Sequence, residues 1–272
     1  MTATTNLPTT GATTPPPAPP TKPIRKLGRA RTPLGRFYST AVGKKWVMAL
    51  TGIAIMLFLV EHLIGNLTLF FGKGEFNAYG EALRDLGGDL FPRTLLLWGF
   101  RIGLIVAFAF HIHAAYGLTR INMKARPDKY QSKRDYVAAD FASRTMRWTG
   151  IILALYIIFH LTDLTWGAAN PEFVRGDAYN NMIYSLQRPV VAIAYSVAML
   201  ALGFHLYHGA WSLFQSMGLN NPSWNKARRV FAIAFAGIMT AGFLTFPIAI
   251  QTHAVSTKCP HTLPVTAACK GS

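Results

Sequence analysis

Five separate segments, at 46–71, 95–118, 148–166, 189–214 and 230–250, are each apolar over about the 20 residues that a helix needs to cross a bilayer. Nothing else in the chain constrains its fold as strongly. Charged residues make up 14% of it and hydrophobic residues 51%, whereas a soluble globular chain carries roughly 25% charged residues. The net charge is nevertheless +16. A nucleic-acid binder would set its basic residues in a more polar chain; an integral membrane protein gathers them in its loops. The expected fold is all-α, an integral membrane bundle of five transmembrane helices.

The basic residues also orient the chain. With the N-terminus inside, the tail to Lys45, the second loop (Arg120 to Arg147) and the fourth loop (Lys226, Arg228, Arg229) hold 19 Lys or Arg. The outer loops and C-terminal tail hold 7, and Arg101 lies within the second span. The positive-inside rule therefore predicts a multi-pass membrane protein, N-terminus cytoplasmic and C-terminus outside. Residues 1–35 read as a tail, Thr/Pro/Ala-rich and too poor in apolar residues to fold, then basic. Residues 36–252 form the membrane domain and 253–272 an outer tail. Cys259 and Cys269 are the two cysteines, which excludes a cysteine-ligated zinc or iron–sulfur site. On the outer side they are free to form a disulfide. No dinucleotide fingerprint, phosphate-binding loop or nucleophile elbow occurs, so the chemistry belongs to the spans.

Six of the eight histidines lie in predicted spans: His62, His111, His113, His160, His205 and His208. An ionisable side chain in lipid is costly and marks a functional site by default. Any one of them is as readily a packing residue as a ligand; the distribution carries the argument. The first four spans each hold at least one histidine and the fifth holds none. At 1.5 Å rise per residue, His62 and His160 lie roughly 24 and 18 Å from the cytoplasmic end, and His113 and His205 about 10–14 Å from it. Four histidines thus form two layers of two. A bis-histidine haem takes one imidazole from each side, delivered by facing helices, so the layers predict two haems, His62 with His160 and His113 with His205. Zinc would draw three or four ligands at one depth. His111 sits about 200° around the helix from His113, so only one of them can face a given haem, and His205 and His208 share a face. Spacing leaves the choice within each of these pairs open.

Four local patterns carry a resemblance: Glu61-His62-Leu63, His113-Ala114-Ala115-Tyr116-Gly117, Phe159-His160-Leu161, and the run from Phe204-His205-Leu206 to Leu213. In this order and at these span positions they resemble the single-chain cytochrome b anchor of bacterial succinate dehydrogenase and fumarate reductase, the five-helix type with two haems b between the first four helices. The resemblance selects His113 over His111 and His205 over His208 as haem-iron ligands, with His62 and His160 on the outer haem. It implies a flavoprotein subunit and an iron–sulfur subunit docked on the cytoplasmic face, and electron transfer to or from a membrane quinone, typically menaquinone. This chain would perform no succinate chemistry itself. Some fumarate reductases of this type carry a carboxylate two residues before the fourth-span ligand; that position is Gly203 here, so no proton route is expected there.

Quinone chemistry needs a proton donor or acceptor beside the quinone. Glu75, Glu81, Asp85 and Asp163 are the carboxylates near the outer ends of the spans. Asp163 shares a helical face with His160 and is the foremost candidate, although a loop charge paired with Arg101 or Arg188 explains it as well. Two other classes compete. A cytochrome b subunit of another quinone-linked dehydrogenase or reductase would place its ligands on a different set of helices. A transporter with a histidine proton relay would show inverted repeats and broken spans, and no internal repeat is evident.

Overall fold

The computed structural model describes residues 32–125, 139–219 and 221–256. The remainder of the N-terminal tail, much of the second loop, and Cys259 with Cys269 lie outside the described residues. Among these residues the regular structure is entirely helical.

Local chemistry sets the element ends. Thr32 caps α1 (Pro33–Ser39), its hydroxyl accepting from the Gly35 amide, with Pro33 at the first helical position. Thr40 closes α1 and opens α2 (Ala41–Leu67): its hydroxyl donates to Phe37 O at 2.7 Å and accepts from Gly43 N at 2.9 Å. A 3₁₀ turn, Thr68–Phe71, extends α2 until Gly72, at φ 103°, breaks the chain into α3 (Lys73–Ala82). The long helix α4 spans Leu95–Ala125 and α5 spans Ala139–His160. A π-turn, Leu161–Thr165, then follows His160 directly. Asp177 caps α6 (Ala178–Gln187), and Pro189 starts α7 (Pro189–Ser216). The last helix, α8 (Asn225–Gln251), carries Pro247 inside it, where a missing amide and ring crowding loosen the hydrogen-bond ladder.

Five helical stretches are long and apolar enough to cross a membrane: Ala41–Phe71, Leu95–Ala125, Thr145–Thr165, Pro189–Ser216 and Pro222–Gln251. They coincide with the five expected spans, and four of them extend by several residues where helix continues past the apolar stretch. The short helices α1, α3 and α6 were not anticipated.

Side-chain contacts fix the directions. The Lys44 stem crosses Gly117 and Thr51 meets His111, so α2 and α4 are antiparallel. Thr149 meets His205 and His160 meets Tyr195, so α5 and α7 are antiparallel. Phe214 meets Phe231 and Thr240 lies against Gly203, so α7 and α8 are antiparallel. The face where α2 begins is called the near face below, and its opposite the far face. The helix α7 packs against both α5 and α8, whereas the extensive packing of α4 is against α2 alone. The core lies towards the far face, where Ile183, Leu186 and Ser185 of α6 are fully buried beside Tyr195, Met199, Phe243, Phe246 and Ile250. Large apolar side chains such as Phe100, Ile105 and Ile193 stay exposed on the outside, as a surface solvated by acyl chains permits.

Candidate functional site

Two pairs of histidines face each other across the gap between the α2/α4 pair and the α5/α7 pair. In the far-face layer the rings of His62 and His160 stand edge to face, 89° apart in plane, with centres separated by 5.9 Å. In the near-face layer His111 and His205 have ring centres 6.4 Å apart and tilted by 57°. Neither α2 with α5 nor α4 with α7 is among the extensively packed helix pairs; the facing side chains bridge what the backbones leave open.

Both spacings suit one metal between two imidazoles. A metal–nitrogen bond of about 2 Å on each side, plus about 1 Å from nitrogen to ring centre, separates two such rings by about 6 Å. Two glycines sit beside the rings: a Cβ on Gly52 would lie 3.6 Å from His111 Cε1, and one on Gly150 would lie 3.7 Å from His205 Cε1. Among the described residues no cluster of three or more metal-ligating side chains occurs. Paired neutral imidazoles without carboxylates or thiolates make a donor set that suits a bis-histidine haem.

Three of these four rings have a hydroxyl at Nδ1. Thr51 Oγ1 lies 3.2 Å from His111 Nδ1 and donates its own proton to Val47 O at 2.7 Å. Thr149 Oγ1 lies 3.3 Å from His205 Nδ1, within reach of the carbonyls of Thr145 and Met146 at 3.1 Å. Tyr195 OH lies 3.3 Å from His160 Nδ1. The ring of His62 is instead stacked on Phe58 at 5.3 Å and tilted against Phe243.

His113, which the motif singled out, points elsewhere. It is exposed, stacks on Tyr38 of α1 at 5.6 Å, and shares a 2.5 Å hydrogen bond between Nδ1 and the Tyr38 hydroxyl. The structure therefore brings His111, and not His113, to His205. His208, one turn beyond His205, is half-buried.

The four candidate carboxylates separate into different environments. Asp163, in the π-turn, is fully buried; Arg188 Nη2 donates to its Oδ1 at 2.5 Å, while Ser185 Oγ and Tyr195 OH (3.0 Å) both donate to Oδ2. It is the partner of Arg188, not of Arg101. Glu81 is bridged to Arg84 and Arg93, and Arg93 also reaches Asp85 at 2.8 Å. Glu75 is exposed in the first turn of α3. Two further groups escaped the sequence reading. Glu61 is exposed within the first span, next to His62; burial, and secondarily the Glu61 charge, pushes the Tyr79 phenol of α3 up. Asp177 ties α6 to α3, accepting from Asn77 at 3.1 Å and from Asn180 at 2.7 Å, with Lys73 at 3.5 Å.

Fold and site together define a class: a polytopic, all-α membrane protein whose first four spans present paired histidines to one another at two depths. Residues 137–245 match the succinate dehydrogenase/fumarate reductase transmembrane subunit family. The chain is also 26% identical, over 168 residues, to the succinate dehydrogenase cytochrome b558 subunit of Bacillus subtilis (strain 168), a match covering 61% of this chain and 75% of that relative. No solved structure matches it significantly. The resemblance read from the motifs is borne out: the chain is similar to the cytochrome b membrane anchors of succinate dehydrogenase.

Proposed function

We propose that the chain is the membrane-anchor cytochrome b subunit of a succinate:quinone oxidoreductase, passing electrons between an iron–sulfur subunit and membrane quinone through two haems b. The observation that carries the reading is the meeting of histidines from four spans as two facing pairs, at 5.9 and 6.4 Å. Haem b supplies reversible one-electron transfer when bound. The chain's own residues hold it by His62 and His160 near the far face and by His111 and His205 near the near face. Phe58 and Phe243 pack against the His62 ring and give the far-face pair an apolar flank.

The positive-inside count supports a cytoplasmic near face, which would receive the iron–sulfur and flavoprotein subunits, and an outer far face within the plasma membrane. Quinone, menaquinone by the family resemblance, would then react near the His62/His160 pair. Glu75, Glu81 and Asp85 lie on that side; Asp163 is already saturated with hydrogen bonds. Quinone turnover should fall on neutral substitution of one of these or of Glu61. Unchanged turnover in the Glu75, Glu81, Asp85 and Glu61 variants alike would move the site to the other face.

A second reading keeps His113 as the near-face ligand with His205, favoured by the match of His113-Ala114-Ala115-Tyr116-Gly117 to the family pattern. The purified protein tests both the class and the count. The proposed function requires a haem b band in the reduced-minus-oxidised spectrum, two haems per chain, and co-purification of a flavin-containing and an iron–sulfur partner. Absence of the band would overturn it in favour of the histidine-relay transporter.

A further inference from the structure

Asp163 is the fully buried carboxylate at the far end of the bundle, and its surroundings specify a direction for every proton around it. Arg188 occupies Oδ1 and reaches on to Ala169 O at 2.8 Å and, through Nε, to Ser185 O at 3.2 Å. Ser185 and Tyr195 both meet Oδ2. A carboxylate held by an arginine only accepts, so each hydroxyl must donate to it. Tyr195 has one hydroxyl proton, and Asp163 takes it. Towards His160, 3.3 Å away, the phenol oxygen can therefore only accept. The proton on that imidazole is then at Nδ1, and Nε2 carries the free lone pair.

We propose that Tyr195, backed by the Asp163–Arg188 ion pair, is a positioning residue for His160: it fixes the Nδ1–H tautomer, presents Nε2 for ligation, and strengthens that nitrogen as a donor. Outer hydrogen bonds from a ligating imidazole to an anionic group orient the ring and raise its basicity. The proposal rests on the reading of His62 and His160 as a haem pair, and gives Asp163 a role other than quinone protonation. It also makes the pair asymmetric. Among the described residues the His62 ring makes no side-chain hydrogen bond and is held by Phe58 and Phe243. At the other layer Thr149 fixes His205 in the same sense, but its own proton goes to neutral helix carbonyls. The anionic backing is particular to His160. The π-turn contributes the geometry, since an extra residue in the turn after His160 re-aims Asp163 while keeping it within reach of α7.

The test uses the whole complex, wild type against Tyr195→Phe and Asp163→Asn, with potentiometric titration of the two haems and low-temperature electron paramagnetic resonance of their oxidised forms. Tyr195→Phe keeps the ring and its packing, so both haems should be retained. One haem should shift to higher midpoint potential, because a weaker imidazole donor stabilises the ferric state less, and its low-spin signal should move while the other haem stays put. Asp163→Asn should shift the same haem in the same direction. If Asp163→Asn fails to assemble, the Tyr195→Phe result decides. Two retained haems with unchanged potentials and signals would overturn the inference alone. Absence of the far-face haem from the wild-type complex would overturn the haem reading and this inference with it.

Discussion

The Thr240 hydroxyl of α8 occupies the space in which a side chain on Gly203 of α7 would begin. A Cβ on residue 203 would overlap it, and Thr240 is itself tied to Ala236 O at 2.7 Å. The position where some fumarate reductases of this type carry a carboxylate is therefore closed by packing, not merely lacking the right residue. Gly203→Ala should push the two helices apart and cost about 1–3 kcal/mol, the range for overpacking. Thermal unfolding in detergent checks this, and adding Thr240→Ala should restore most of the loss. An unaffected midpoint in the single variant would show that the helices slide apart freely.

The choice between His111 and His113 has a direct answer in haem content. His111→Ala should lower the count from two haems to one, and His113→Ala should leave both in place. Thr51→Val should retain both haems but alter the near-face spectrum, since it removes the oxygen 3.2 Å from His111 Nδ1. The reverse outcome, with His113→Ala losing a haem, would establish the ligand that the motif indicates and rotate α4 relative to its position here.

Asp177 gives stability a pH dependence. Burial opposes its charge, yet hydrogen bonds from Asn77 and Asn180 and the Lys73 ammonium outweigh burial and hold its carboxyl below the usual range. A depressed carboxylate stabilises the fold fully above the unfolded value of about 3.9, and the contribution is lost as pH falls through the folded value. Unfolding measured from pH 6 down to pH 3 should show the wild type losing its advantage over Asp177→Asn below about pH 4. Because Asp177 is partly exposed, the effect should be small and weakened by salt. Parallel curves for the two proteins would contradict it.

Orientation is open to labelling. With native cysteines replaced, a cysteine at Ser223 should react with an impermeant reagent only in inverted vesicles, and one at Glu172 only in intact cells. Ser223, exposed at the very start of the Pro222–Gln251 stretch, and Glu172, in the loop between the third and fourth spans, lie at opposite faces. The opposite pattern would reverse the assignment of near and far faces to cytoplasm and exterior.

Much of this was legible in the sequence because membrane spans announce themselves by length and composition. The two depths of histidine were legible too, since rise per residue is fixed and both layers recur in the bundle. The rotation of α4 was not. A span packed on one neighbour and bathed in lipid is apolar on every side, and lipid is as apolar as Leu, so periodicity cannot tell its inward face from its outward one; that is why His111 and His113 were separable by motif but not by pattern. The hydroxyls of Thr51, Thr149 and Tyr195 escaped for a related reason. Each meets a histidine on another helix, and no sequence spacing reports such a meeting. The proximity of Asp163 to His160 was readable from their three-residue separation, whereas its saturation by Ser185, Arg188 and Tyr195 depends on α6 folding into the bundle beside it.

The antiparallel arrangement also sets a timetable for biosynthesis. Each facing pair joins helices that are not neighbours in the chain: the first span waits for the third, and the second for the fourth. A nascent chain that has inserted two spans holds three of the six intramembrane imidazoles and not one completed pair. The far-face pair closes when His160 enters the membrane, but the phenol that steadies it arrives only with α7, the same helix that completes the near-face pair. Both pairs are thereby complete only when four spans are in place.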